Sequence, residues 1–328
     1  MRINCPLNIN NNNLGIASLT NKKNINLNNN FSQDSFIKTG KNLSFSGDDK
    51  YTGKDIKLYP EFLLSGNHSP DNIFLADKTR DAVNSPEKKI ILAGTSKVRT
   101  INGRDVELHG NSSSQNIKAK YISLFDKSTA KELYAEISAG MFGTGTVDKI
   151  TAPHVQVQNS TGGHVKEIQA RERIFIDEGA NVTKAQSPEV EVSGRAKVDE
   201  ITTDEAIISG SSKVNKVVSN YCARVRDNAS VNEITAGHDV GLSGRSKVGK
   251  VKLTGDKAEV HIKDAPEFEQ IEFTKGNGKV ILHKDWRGDY PEIDETRIKG
   301  AVIERSGKFV DNHPMANIEY LAEFRRHF

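Results

Sequence analysis

Read down the chain at intervals of 16 to 18 residues, one position is charged eight times in succession, and its sign flips each time. The series is Glu132, Lys149, Glu167, Lys184, Glu200, Lys216, Glu233 and Lys250. Acids and bases alternating in this way can do one kind of chemistry, electrostatic pairing, if each lies beside the next. Equivalent residues on successive coils of a parallel β-solenoid are about 4.8 Å apart. At that spacing like charges repel, and opposite charges attract by roughly 0.2–1 kcal/mol per cross-strand pair. For exposed pairs the lower end applies. The alternation therefore predicts a structural charge ladder.

The other chemically capable residues form no comparable pattern. Carbohydrate-cleaving β-helices need acids and bases gathered on one outward sheet. The nearest fragment, Gly237-His238-Asp239, stands isolated in a coil bend. The histidines, including His109, His154, His164, His238, His261 and His283, are scattered without metal-ligand spacing and read as solvated surface groups. No phosphate-cradling glycine loop, Ser/His/Asp arrangement or Cys-x-x-Cys occurs. We expect no catalytic residue, no cofactor and no metal. Arg287-Gly288-Asp289 falls in a predicted turn and would serve adhesion only in an extracellular protein. The acidic group Asp285, Asp289, Glu292, Asp294 and Glu295 could hold calcium, but a solvated loop is the simpler account. Cys222 aligns with Ala206 on an inward column and reads as core.

What must position the ladder is a repeat, most often Val-x-(charge)-Ile. Its first position runs Val98, Ser114, Ala130, Val147, Val165, Val182, Val198, Val214, Val231, Val248. Three residues on, the position is apolar throughout, from Ile101 to Val251. A small column follows two residues later: Ala119, Ala135, Ala152, Ala170, Ser187, Thr203, Ser219, Ala236. Each coil then offers an alternating pair such as Val190/Val192 or Val240/Leu242, closed by glycine. The same pair is read at Leu43/Phe45, Ile56/Leu58, Ile73/Leu75 and Ile90/Leu92. Three short inward groups and three tight bends use up 16 to 18 residues and leave no room for helices. The expected fold is all-β: a single-stranded parallel β-helix, triangular in section. It is right-handed by the crossover rule.

Four regions follow. Residues 1–42 are an asparagine-rich tail that cannot bury enough apolar surface to order itself. Residues 43–89 form irregular N-terminal coils, 90–262 the regular β-helix, and 263–328 further irregular coils and a capping helix. That helix opens at Asn312-His313-Pro314, with Pro314 at its first position. Charges nearly cancel, 46 basic against 43 acidic, so no nucleic-acid footprint is present. Two cysteines, Cys5 and Cys222, imply no disulfide framework and favour a reducing compartment. Neither a secretory signal nor an 18-residue apolar span is read, which makes a cytoplasmic location the expectation. The sparse apolar residues Ile3, Leu7 and Ile9 could touch a membrane or a partner, but plain tail is the simpler reading.

The pattern in Val147-Asp148-Lys149-Ile150-Thr151-Ala152 recurs in Val231-Asn232-Glu233-Ile234-Thr235-Ala236, followed by Val240-Gly241-Leu242-Ser243-Gly244. Over about 90–262 it resembles the bactofilins, bacterial polymer-forming cytoskeletal proteins. The resemblance implies a right-handed triangular β-helix with disordered ends that assembles end to end into filaments without nucleotide. The leading expectation is thus a non-enzymatic structural or scaffold solenoid, forming homo-oligomers or filaments through its coil ends. The alternative is a surface or secreted β-helix that binds or cleaves polysaccharide. Electron microscopy and cell fractionation separate the two.

Overall fold

Alternating Val, Ile and Leu separated by polar residues favour strands that bury one face, and the repeat length returns each strand to a position above its predecessor. The computed structural model describes residues 89–308 except 160–161, together with four short strands nearer the N-terminus. These are β1 (Leu43–Phe45), β2 (Asp55–Leu58), β3 (Phe62–Leu64) and β4 (Asn72–Leu75). The fold is a parallel β-solenoid whose strands, from β1 to β22 (Ala301–Lys308), join in one hydrogen-bonded network. Several strands run unbroken round a corner, as in β8 (Ser113–Asp126) and β14 (Lys213–Val225). The one helical element among the described residues is a 3-10 turn at Glu295–Arg297.

The register is rung on rung. Val98 stacks on Ser114, then Ala130, Val147, Val165, Val182, Val198, Val214, Val231, Val248 and finally Phe268. These eleven residues define the first sheet. The Ile column, Ile101 to Ile271, defines the second, and the alternating pair the third. Val198, Ile201, Ala206 and Ile208 show the three inward groups of one coil, each 2% exposed or less. Beyond Ile262 the columns continue: Ile262 pairs with Leu282 and Ile271 with Ile298.

Two corners have distinct chemistry. Between the second and third sheets lies the small column, with Ala135, Ala152 and Ala236 nearly inaccessible. Polar members satisfy themselves there, since the Thr203 hydroxyl lies within donating distance of the Pro188 and Glu205 carbonyls, at 2.9 and 2.8 Å. After the third sheet comes a four-residue turn whose second residue has positive φ: Gly94, Gly110, Asp126, Glu178, Gly194, Gly210, Asp227, Gly244, Asp264. A Cβ on Gly210 would meet the Gly194 nitrogen at 2.8 Å, so stacking as well as φ favours glycine there. Where aspartate occupies this position, its carboxylate accepts from the glycine N–H of the preceding coil: Asp126 from Gly110 at 2.9 Å and Asp227 from Gly210 at 3.0 Å. The fourth turn residue is Ser96, Ser112, Ser128, Ser212 or Ser246 on five coils, each fully or almost fully buried. Ser128 and Ser212 close the turn by donating to the carbonyls of Phe125 and Ser209, at 2.6 and 2.7 Å.

Two sequence expectations need correction. Ile56 and Ile73 pair with each other, and Ile73 with Ile101, so Ile56/Leu58 and Ile73/Leu75 belong to the second sheet. The third-sheet column instead runs Leu43, Phe62, Ile90. Alternation looks the same on both sheets, and only register separates them. Cys222 is not in register with Ala206; it lies beside Glu205, and Ala223 takes the Ala206 position. Ser219 and Cys222 are three residues apart where Thr203 and Glu205 are two, and the extra residue forms a bulge. Cys222 is nonetheless buried. The asparagine-rich tail, 1–42, and the expected helix from 312 lie outside the described residues.

Candidate functional site

The second sheet carries the charged column on its outer side. Register pairs Glu132 with Lys149, Lys149 with Glu167, Glu167 with Lys184, and Lys184 with Glu200. It continues through Glu200 with Lys216, Lys216 with Glu233, and Glu233 with Lys250. Ion pairs close at three of these steps: Lys149–Glu167 at 3.2 Å, Lys216–Glu200 at 3.7 Å and Lys184–Glu200 at 3.9 Å. Glu200 thus sits between two lysines. All five side chains are more than a third exposed, so each contact is worth a fraction of a kcal/mol. The column is flanked above and below by neutral groups, Asn116 against Glu132 and Gln270 against Lys250.

The ladder continues sideways into the first sheet. There Lys166 donates to Asp148 at 2.6 Å, holding that carboxyl below its usual range. Side-chain amides also bond from coil to coil, Asn232 Nδ2 donating to the Asn215 amide oxygen at 2.9 Å and Asn220 Nδ2 to the Asp204 carboxylate at 2.8 Å.

The third sheet differs on its outer side. Its middle outward column includes Phe175, Glu191 and Ile207, all at most 5% exposed. Beside it Arg173 forms an ion pair with Glu189, and His109, Phe125 and Phe142 stack with centroids 4.6 and 5.5 Å apart. Alternation places these residues outward but carries no signal for their burial. The spacing of 16 and 17 residues between the three rings was the available clue.

The histidines are more engaged than their scatter implied. His261 Nδ1 lies 2.9 Å from His283 Nε2, with rings nearly parallel, and His283 is 6% exposed. Neighbouring coils bring together two residues that are far apart in sequence, which corrects the reading of both as solvated. His109, His154 and His164 have partners in Glu107, Glu172 and Thr183. His238, of the Gly237-His238-Asp239 fragment, packs on Tyr221 at a centroid distance of 5.0 Å. Among the described residues no three His, Cys, Asp or Glu side chains converge in a metal-binding group.

The acidic loop is tied to itself. Asp285 accepts from the backbone N–H of Arg287 at 2.8 Å and of Asp289 at 2.9 Å, and from Arg287 Nε at 3.0 Å. The Asp289 amide, assisted by Arg287, holds the Asp285 carboxyl below its ordinary range. Asp294 is bound likewise by Thr296 and Arg297. Arg287 also lies 3.7 Å from Asp289, so the Arg-Gly-Asp guanidinium is folded onto acids of its own loop. Trp286 projects from this loop, 89% exposed.

No family model matches the chain, and no curated protein or solved structure matches it. No helix among the described residues is long and apolar enough to cross a membrane.

Proposed function

We propose that this chain is a non-enzymatic structural scaffold, a bactofilin-like solenoid that associates with further copies through its coil ends. What supports the reading is the unbroken rung register from Val98 to Phe268. Each coil in such a stack is held by its neighbours alone, and stiffness accumulates along the axis. The terminal coil of any parallel stack offers backbone groups that a further strand would satisfy. In the last of the described coils Val302 is 65% exposed and Ile303 only partly buried. The bactofilin element rests on the resemblance over 90–262.

Light scattering and negative-stain microscopy of the purified full chain test the proposal. Particles that lengthen with concentration are expected. A strict monomer at the highest soluble concentration rejects self-assembly.

A further inference from the structure

Along the outer side of the first sheet, the early coils enclose an open trough of about 520 Å³. Its floor includes Ser114 and Ala130, the two smallest residues of the Val column. Lys97 and Arg99 stand on its first rung, Ser113 and Gln115 on the second, Thr129 and Lys131 on the third, and Thr146 and Asp148 on the fourth. All three cations are exposed. Register puts Lys97 and Arg99 two rungs from Lys131, through Val98, Ser114 and Ala130. The two cationic rungs are therefore about 10 Å apart at the sheet spacing. Asp148, the acid on the trough wall, is bonded by Lys166 at 2.6 Å and also lies within the field of Lys131, on the adjacent rung. Among the described residues none of the three cations forms an ion pair.

We propose that this trough binds a linear carboxylated polysaccharide, with Lys97, Arg99 and Lys131 pairing its carboxylates and Ser113, Gln115 and Thr129 bonding its hydroxyls. The charge selects an anion, and a guanidinium presents a fork that matches carboxylate geometry. The hydroxyl and amide groups between the cations suit the alternating hydroxyls of sugars. Three observations select this polymer over other anions. The trough wall holds no aromatic side chain on which a base could stack. The chain's net charge is only +3, short of a nucleic-acid footprint. The strand backbones beneath the trough are already paired from coil to coil, so an extended acidic peptide finds no edge to join. A sugar chain lying along the stack axis advances about one unit per rung, and the cations meet carboxylates at both ends of a short run. The site goes beyond the scaffold reading and stands without it, because all its residues lie within one copy.

The test is binding of the full-length protein to polygalacturonate in low-salt buffer, by calorimetry or affinity electrophoresis. The unmodified chain is expected to bind, with affinity falling as salt rises. The triple variant K97Q/R99Q/K131Q is expected to lose at least about tenfold, in line with the removal of three charge-assisted contacts. A control, K197Q/K213Q/K247Q, removes the same charge from exposed positions of the same sheet on other coils. It should bind within about twofold of the unmodified chain. Circular dichroism confirms that both variants fold. Equal losses in the two variants overturn the proposal, as does no binding by the unmodified chain. Duplex DNA or poly-glutamate competing as well as the polyuronate overturns the choice of ligand.

Discussion

In the middle coils, side chains find partners one turn away in space and 16 to 18 residues away in sequence. Lys149 reaches Glu167, Asn220 reaches Asp204, and Asn232 reaches Asn215. In the last described coil Arg297 still reaches the Phe268 carbonyl, 29 residues back, but the aspartate side chains bond locally. Asp285 binds residues two and four positions on, and Asp294 binds residues two and three positions on. The difference follows from what each rung has above and below it. A coil inside the stack has neighbours on both sides, so its side chains bond across rungs as well as within their own turns. At the end of the register a segment orders itself through turn-forming aspartates, which bond their own backbone. Burial follows the same division. Ile201 is 0% exposed in mid-stack, whereas Trp286 and Val302 are 89% and 65% exposed near the end.

Core substitution should separate the two regions most sharply. Ile201→Ala removes a fully buried side chain and is expected to cost about 2–5 kcal/mol, whereas Val302→Ala should cost about 0.5 kcal/mol or less. Urea denaturation measures both. Equal costs would break the contrast. A smaller effect belongs to the ladder. Glu200→Lys stacks three lysines, Lys184, the new residue and Lys216, and should destabilise by up to about 1 kcal/mol at low salt. The loss should shrink towards zero near 1 M salt, where the screening length is about 3 Å. A salt-independent loss would mean that packing, not charge, is responsible.

The smallest effect is local to the last coil, and pH reads it. Asp285 has its pKa lowered by the Asp289 and Arg287 hydrogen bonds. Its contribution is therefore fully present above the ordinary aspartate value of about 3.9 and is lost as pH falls through the lower folded value. Trp286, the only tryptophan in the chain, reports on this loop. Its emission should stay constant from pH 7 to about 4 and change only below that. A change centred well above pH 4 would implicate a group other than Asp285.

Periodicity made the middle of the chain legible because each column there repeats often enough to be seen. The Val and Ile columns, the small corner from Ala119 to Ala236, and the glycine turns all lie where the repeat length put them. Ile56/Leu58 and Ile90/Leu92 alternate identically, so the sequence does not show that they join different sheets, and only the register does. Cys222 was misplaced by a one-residue bulge, which a fixed offset cannot anticipate. The buried outer column of the third sheet and the His261–His283 pair depend on packing, which no spacing rule encodes. The trough was equally silent in sequence, since Lys97 and Lys131 meet only through the intervening rung.

The alternating column has a further consequence for how the stack can be assembled and resized. Its near-identical coils could in principle join after one of them loops out. Omitting the coil of Glu200 would set Lys184 against Lys216, like on like, while omitting the coils of both Glu200 and Lys216 would set Lys184 against Glu233 and restore attraction. The column thus acts as a parity check, penalising a miscount of one and passing a miscount of two. Lengthening or shortening of this molecule is electrostatically neutral only in pairs of coils.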